Sequence, residues 1–61
     1  MNKVAVIIPA LNEAGSIRSL VSELCATRTV EVIVVDNGST DATAAEALTA
    51  GAWVVPEPRR G

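Results

Sequence analysis

"VIVVDNGSTD", residues 32–41, carries four consecutive β-branched residues straight into a carboxylate, an amide, a glycine and two hydroxyls. A solid apolar run of this length suits a strand covered on both faces, as strands of parallel sheets are. A carboxylate that directly continues such a strand needs a partner or a cleft, because an unpaired buried charge is expensive. The stretch therefore reads as a strand, Val30 to Val35 with Glu31 near its start, that delivers Asp36 to a ligand crevice at its carboxyl end.

The flanking residues supply the rest of a repeating pattern. Val4 to Ile8 is a second β-branched run, closed by Pro9. From Ala14 to Ala26 the apolar residues Ile17, Leu20, Val21, Leu24 and Cys25 recur with helical spacing, while Ser16, Arg18, Ser19, Ser22 and Glu23 fall on the other face. Asn12 suits the N-cap of this helix, which would put Glu13 in its first turn beside the positive end of the dipole. Gly38 is free to take positive φ in the turn after the second strand, and Ser39, Thr40 or Asp41 can cap an Ala-rich helix from Ala42 to Ala50 that ends at Gly51. Ala52 to Val55 reads as a third strand. Pro56 and Pro58 then stop regular pairing and hold Glu57 extended, ahead of Arg59, Arg60 and Gly61.

The order is β-α-β-α-β. Short connections and right-handed crossovers make the strands parallel, in the spatial order 3-2-1. The fold class is α/β, a three-layer unit that forms half of a doubly wound sheet, and residues 1–61 show no internal boundary.

Composition excludes several functions. The net charge is −2 with acidic groups spread along the chain, so no basic stripe for nucleic acid is present. No apolar run approaches the ~20 residues of a membrane-spanning helix. Lys3 ahead of an apolar run imitates a signal peptide, but Pro9 and the lack of a small-residue cleavage site favour a strand. Trp53 is the one aromatic residue, so the core is aliphatic and thin. The single cysteine, Cys25, lies on the apolar helix face and reads as a small hydrophobe.

Parallel strands gather whatever follows them along one rim, with neighbours only ~4.8 Å apart. Pro9, Asn12 and Glu13 follow the first strand. Asp36, Asn37, Ser39 and Asp41 follow the second, and Arg59 and Arg60 the third. A carboxylate can accept hydrogen bonds from a ribose diol or a base N–H, and Arg matches diphosphate oxygens. Helix N-termini after Asn12 and Thr40 offer backbone N–H groups to an anion. A nucleotide fits this set. Asn12, Ser39 and Asp41 equally suit plain helix caps, Glu13 a dipole complement, Asn37 and Gly38 turn formers, and the two arginines solvated charges. The dinucleotide motif G-x-G-x-x-G after the first strand and the G-x-x-x-x-G-K-[ST] loop are both missing.

Two motifs, Ile-Pro-Ala-Leu-Asn-Glu within "VAVIIPALNEAGSI" and Val-Asp-Asn-Gly-Ser-Thr-Asp within "VEVIVVDNGSTDAT", followed by "AGAWVVPEPRRG", resemble the opening of a family-2 glycosyltransferase with the GT-A (Rossmann-like) fold. The resemblance covers essentially the whole chain and is nearest to polyprenyl-phosphate sugar synthases of the dolichyl-phosphate mannose or glucose type. It implies inverting transfer of a sugar from a nucleoside diphosphate donor, UDP- or GDP-linked, with Mg²⁺ or Mn²⁺ on the leaving group and polyprenyl phosphate as acceptor. By the same resemblance Pro9, Leu11 and Glu13 would line the nucleoside pocket, and Asp36 would contact base or ribose. Arg59 or Arg60 would lie near the diphosphate. Asn37 stands where many members have a second Asp, and an amide can still contact base or ribose.

The metal-binding Asp-x-Asp, the catalytic base and the acceptor site of such enzymes come later in the chain, so no catalytic or metal-ligating residue is expected among these residues. Arg60-Gly61 reads as a cut inside a glycine-containing loop. Residues 1–61 are thus expected to be a partial nucleotide-sugar-binding domain, inactive alone, from a protein that works in the cytoplasm or at the cytoplasmic face of the membrane. The competing expectation is a non-catalytic α/β module that binds a partner through its uncovered sheet edge, or a truncated relic. A phosphoacceptor receiver using Asp36 would want an acidic pair after the first strand, where only Glu13 stands.

Overall fold

The structure, a computed structural model, describes residues 3–57. Five elements follow in the expected order: β1 (Val4–Ala10), α1 (Ala14–Cys25), β2 (Val30–Asp36), α2 (Thr43–Ala50) and β3 (Trp53–Pro56). All pairing is parallel, in the order β1-β2-β3. Each strand runs one or two residues further than its apolar run suggests, and both prolines expected to close strands lie inside them. The reason is position. Pro9 and Pro56 sit on β1 and β3, the two edges, where a missing N–H need not break a ladder.

Alternation along the strands divides the sheet into two unlike faces. Val32 and Val34 on β2 and Ala10 on β1 are buried with Ile17 and Val21 of α1 and Ala47 of α2, and Ala52 completes this core. Ile8, Leu24, Cys25, Val30, Ala50 and Val54 pack around it. Gly51 ends α2 with φ 114, and a Cβ added there would stand 3.3 Å from the Cys25 sulfur. A side chain at Gly51 would therefore be strained in its backbone and crowd the end of α1 as well.

The expected third layer is not formed by the described residues. Because the strands follow one another in steady order, crossovers of one hand place both helices on the same face, where they pack on each other. The second face holds two cross-strand rows, Ile7–Ile33–Trp53 and Pro9–Val35–Val55. Ile7 and Trp53 are 64% and 66% exposed, so the runs that read as covered on both sides are covered here on one.

Removing carbon from the two faces should have unequal effects. Val34→Ala takes about two carbons from a fully buried site and should lower the unfolding free energy by about 2 kcal/mol, at ~0.8 kcal/mol per carbon plus a cavity term. Ile7→Ala, on the open face, should change it by no more than about 0.5 kcal/mol. Urea unfolding followed by far-ultraviolet circular dichroism makes the comparison, and equal losses would mean that the second face is covered in solution.

Candidate functional site

The carboxyl rim of the sheet is where the sequence concentrates its polar groups. Ala10, Asp36 and Pro56 lie side by side in register there. The ladder continues one step past the strands, as Asn37 N–H donates to the Ala10 carbonyl at 2.9 Å and Glu57 N–H to the Asp36 carbonyl at 2.8 Å. Asp36 shares the helix-side face with Val32 and Val34 and is half-buried. Its Oδ1 accepts the Ser39 N–H at 3.0 Å, which folds the turn back on the carboxylate. Oδ2 accepts no hydrogen bond from a described residue.

The two loops of the rim are tied to each other. Asn12 N–H donates to Ser39 Oγ at 2.9 Å, and Asn12 Oδ1 accepts the Thr40 N–H at 2.8 Å. Asn12 holds φ 52, a conformation that Asn tolerates better than most residues, and this aims it across at the second loop instead of along its own helix. The expected N-cap role of Asn12 is therefore not the one the structure gives it. Glu13 takes the N-cap position of α1 but makes no side-chain cap bond.

The leading N–H groups at the start of α1 are satisfied from the segment that opens α2. Glu13 N–H donates to Thr43 Oγ1 at 2.8 Å, and Ala14 N–H to Asp41 Oδ2 at 3.3 Å. Asp41 Oδ1 accepts the Thr43 N–H at 2.9 Å and also the Thr43 hydroxyl. One carboxylate thus meets the first turns of both helices. The Thr43 hydroxyl, foremost, holds the Asp41 carboxyl below its ordinary value of 3.8; desolvation opposes this, and the N–H groups of Thr43 and Ala14 reinforce it. Thr43 is fully buried, and its hydroxyl is used both as acceptor and as donor.

Of the residues singled out from sequence, Pro9, Leu11, Glu13, Asp36 and Asn37 all lie on this rim or the loops leaving it. Pro9, Leu11 and Glu13 are exposed, and Asn37 is half-buried. Arg59 and Arg60 lie outside the described residues. The helix N-termini, expected to offer N–H groups to a ligand, give their leading ones to Thr43 and Asp41. Thr43 itself escaped sequence reading, although its signal is present: Asp41 followed two residues later by a hydroxyl at the start of a helix is a local capping pattern. Among the described residues no three His, Cys, Asp or Glu side chains converge on a point that could hold a metal. A hollow of about 490 Å³ lies at the opposite end, at the amino ends of the strands, between Lys3, Cys25, Arg28, Glu31 and Trp53. It is remote from the loops that the parallel topology brings together, and the rim is the better candidate.

Asp41 makes stability depend on acidity in one direction. A carboxyl held below its ordinary value in the folded protein stabilises the fold above that value, and the contribution disappears as pH falls through the folded value. The difference in urea midpoint between the wild type and Asp41→Asn should accordingly be largest near pH 7. It should shrink as pH falls below about 4 and disappear once pH has passed through the lowered folded value. A difference that stays constant over this range would show that the carboxylate charge is not what the two helix starts use.

The profile described as Glycosyl transferase family 2 matches residues 5–60. An uncharacterized glycosyltransferase of Mycobacterium tuberculosis is 45% identical over 58 residues, which is 95% of this chain and 26% of that protein. Glucosyl-3-phosphoglycerate synthase of Mycolicibacterium smegmatis is 39% identical over 71 residues, 95% of this chain and 23% of its own length. The crystal structure of glucosyl-3-phosphoglycerate synthase from M. tuberculosis in complex with UDP superposes with a TM-score of 0.82 at 40% identity, over 90% of this chain and 21% of that one. The same synthase has been solved with Mn²⁺, UDP and glucosyl-3-phosphoglycerate together. The chain thus spans about a quarter of the length of the curated relatives it matches. A parallel β-α-β-α-β unit with its polar groups on one rim, matched over nearly its whole length, belongs to glycosyl transferase family 2.

Proposed function

We propose that these residues form the nucleoside-binding edge of a glycosyltransferase that moves a sugar from a nucleoside diphosphate, UDP in the first instance, to an acceptor hydroxyl with inversion. The observation that carries the proposal is the Asp36 carboxylate, fixed at the end of β2 through Oδ1 with Oδ2 left to accept from a base N–H or a ribose hydroxyl. Pro9 and Leu11 offer exposed apolar surface on the neighbouring strand and loop, suited to one side of a base. Glu13 and Asn37 add an acceptor and an amide within the same rim. Arg59 and Arg60 are assigned to the diphosphate by family resemblance.

In such a transfer the acceptor oxygen attacks the anomeric carbon from the face opposite the leaving group. The bond from that carbon to the diphosphate oxygen breaks with its electron pair, and the acceptor proton passes to a base. None of the residues of this chain is assigned as that base. The divalent cation implied by the family has no ligand set among the described residues. The donor assignment is supported by the UDP held by the mycobacterial synthase. For the acceptor, the polyprenyl phosphate implied by resemblance has no counterpart among the relatives named above. We favour a phosphorylated hydroxy acid of the kind bound by that synthase, for a longer enzyme carrying these residues.

Titrating the ¹⁵N-labelled protein with UDP and with GDP tests the nucleoside reading. UDP should move the amide signals of Glu13, Asp36, Asn37 and Ser39 with a dissociation constant on the order of 1 mM, equivalent to about −4 kcal/mol. Asp36→Ala should weaken it at least about tenfold, the loss of one charged hydrogen-bond acceptor. Shifts confined to the hollow around Arg28 and Trp53, or unchanged in Asp36→Ala, would remove the assignment.

A further inference from the structure

We propose that Thr43, Asp41 and Asn12 are positioning residues that lock the two loops of the rim into one rigid unit, and that nucleotide affinity depends on this lock; the affinity half rests on the function proposed above. The two carboxylates assigned to the ligand come from different segments, Glu13 from the loop after β1 and Asp36 from the last position of β2, where the second loop begins. Among the described residues five hydrogen bonds join those two loops and the helix starts they lead into, namely Asn12 N–H to Ser39, the Thr40 N–H and the Thr40 hydroxyl to Asn12 Oδ1, Glu13 N–H to Thr43 and Ala14 N–H to Asp41. None of the five uses the side chain of Glu13 or Asp36.

The lock nevertheless reaches the Asp36 carboxylate through Ser39. The Ser39 hydroxyl accepts from Asn12, and its N–H holds Asp36 Oδ1. A shift of the first loop therefore reorients the group that faces the ligand. Thr43 marks the lock as more than packing. It is the buried polar residue of an otherwise aliphatic core among the described residues, at a position that valine would fill with the same volume. A hydroxyl there is tolerated because both of its hydrogen-bonding functions are satisfied, one by each loop.

The test compares Thr43→Val, Thr43→Ser and Asn12→Gly, the last keeping the left-handed backbone while deleting the amide acceptor. Amide hydrogen exchange is followed at Asn12, Glu13 and Thr40, and UDP affinity is followed by the same titration as before. Thr43→Val should speed exchange about tenfold at Glu13 and also at Asn12 and Thr40, which it does not touch, and should weaken UDP binding by a similar factor. Thr43→Ser should return both to within about twofold, because it keeps the oxygen. Unchanged exchange at Asn12 and Thr40 would overturn the lock. Should Thr43→Val fail to fold, Asn12→Gly decides the matter through the exchange rate at Glu13, expected to rise and contrary to the lock if it does not. Fast exchange with wild-type UDP affinity would overturn the affinity half. A wild type that shows no UDP response would overturn the nucleotide reading and that half with it, while the exchange rates still decide the lock.

Discussion

One carboxylate bridging two helix starts is the constraint around which the rest of this structure is arranged. The helices lie on one face of a parallel sheet and begin at the same rim, so their positive dipole ends, each equivalent to roughly half an elementary charge, converge. Left bare, these ends would repel each other and leave N–H groups without partners. Asp41 supplies a negative charge to both and accepts from Thr43 with one oxygen and Ala14 with the other. The ion pair between Arg18 and Glu46 also joins the helices, but it is exposed and long at 3.4 Å, worth no more than about 1 kcal/mol. The charged link that matters is at the rim.

This arrangement determines what kind of ligand the rim suits. A helix N-terminus is ordinarily an attractive place for phosphate. Here the leading N–H groups already face an internal anion, and an incoming diphosphate would meet Asp41 instead of an open helix end. Among the described residues the rim also carries the Asp36 and Glu13 carboxylates and the exposed apolar surfaces of Pro9 and Leu11, the groups to which the proposed function assigns the ligand. Those groups suit the uncharged end of a nucleotide, its base and ribose, better than its phosphates.

Much of this was legible in the sequence because the signals are local. β-branched runs and helical spacing fixed five elements within a residue or two, and Gly51 marked the end of α2 as expected. The rim followed from parallel topology alone. What sequence could not supply were relations between loops far apart in the chain. Nothing local says that Asn12 turns to φ 52 and serves the second loop, or that Thr43 completes the start of α1. The layer count failed for a related reason: a strand's composition records how many faces are to be covered, and the covering residues need not lie in the stretch at hand. The prolines misled because their tolerance depends on whether a strand is an edge, a property of the whole sheet.

The core and the site are not independent, because both depend on the register of one strand. Val32, Val34 and Asp36 occupy alternate positions of β2 and share its helix-side face, the first two deep in the core and the third at the rim. A slip of one residue would turn all three outward, putting Ile33 and Val35 against the helices and presenting Asp36 on the open face, away from Ser39. Since β1 is held to β2 along its full length, from Val4–Val30 to Ala10–Asp36, the same slip would separate Asp36 from the loop that carries Glu13. The hydrophobic pattern that forbids the slip therefore also aims the carboxylate, and apolar residues buried beneath the rim act on a polar group that they never touch.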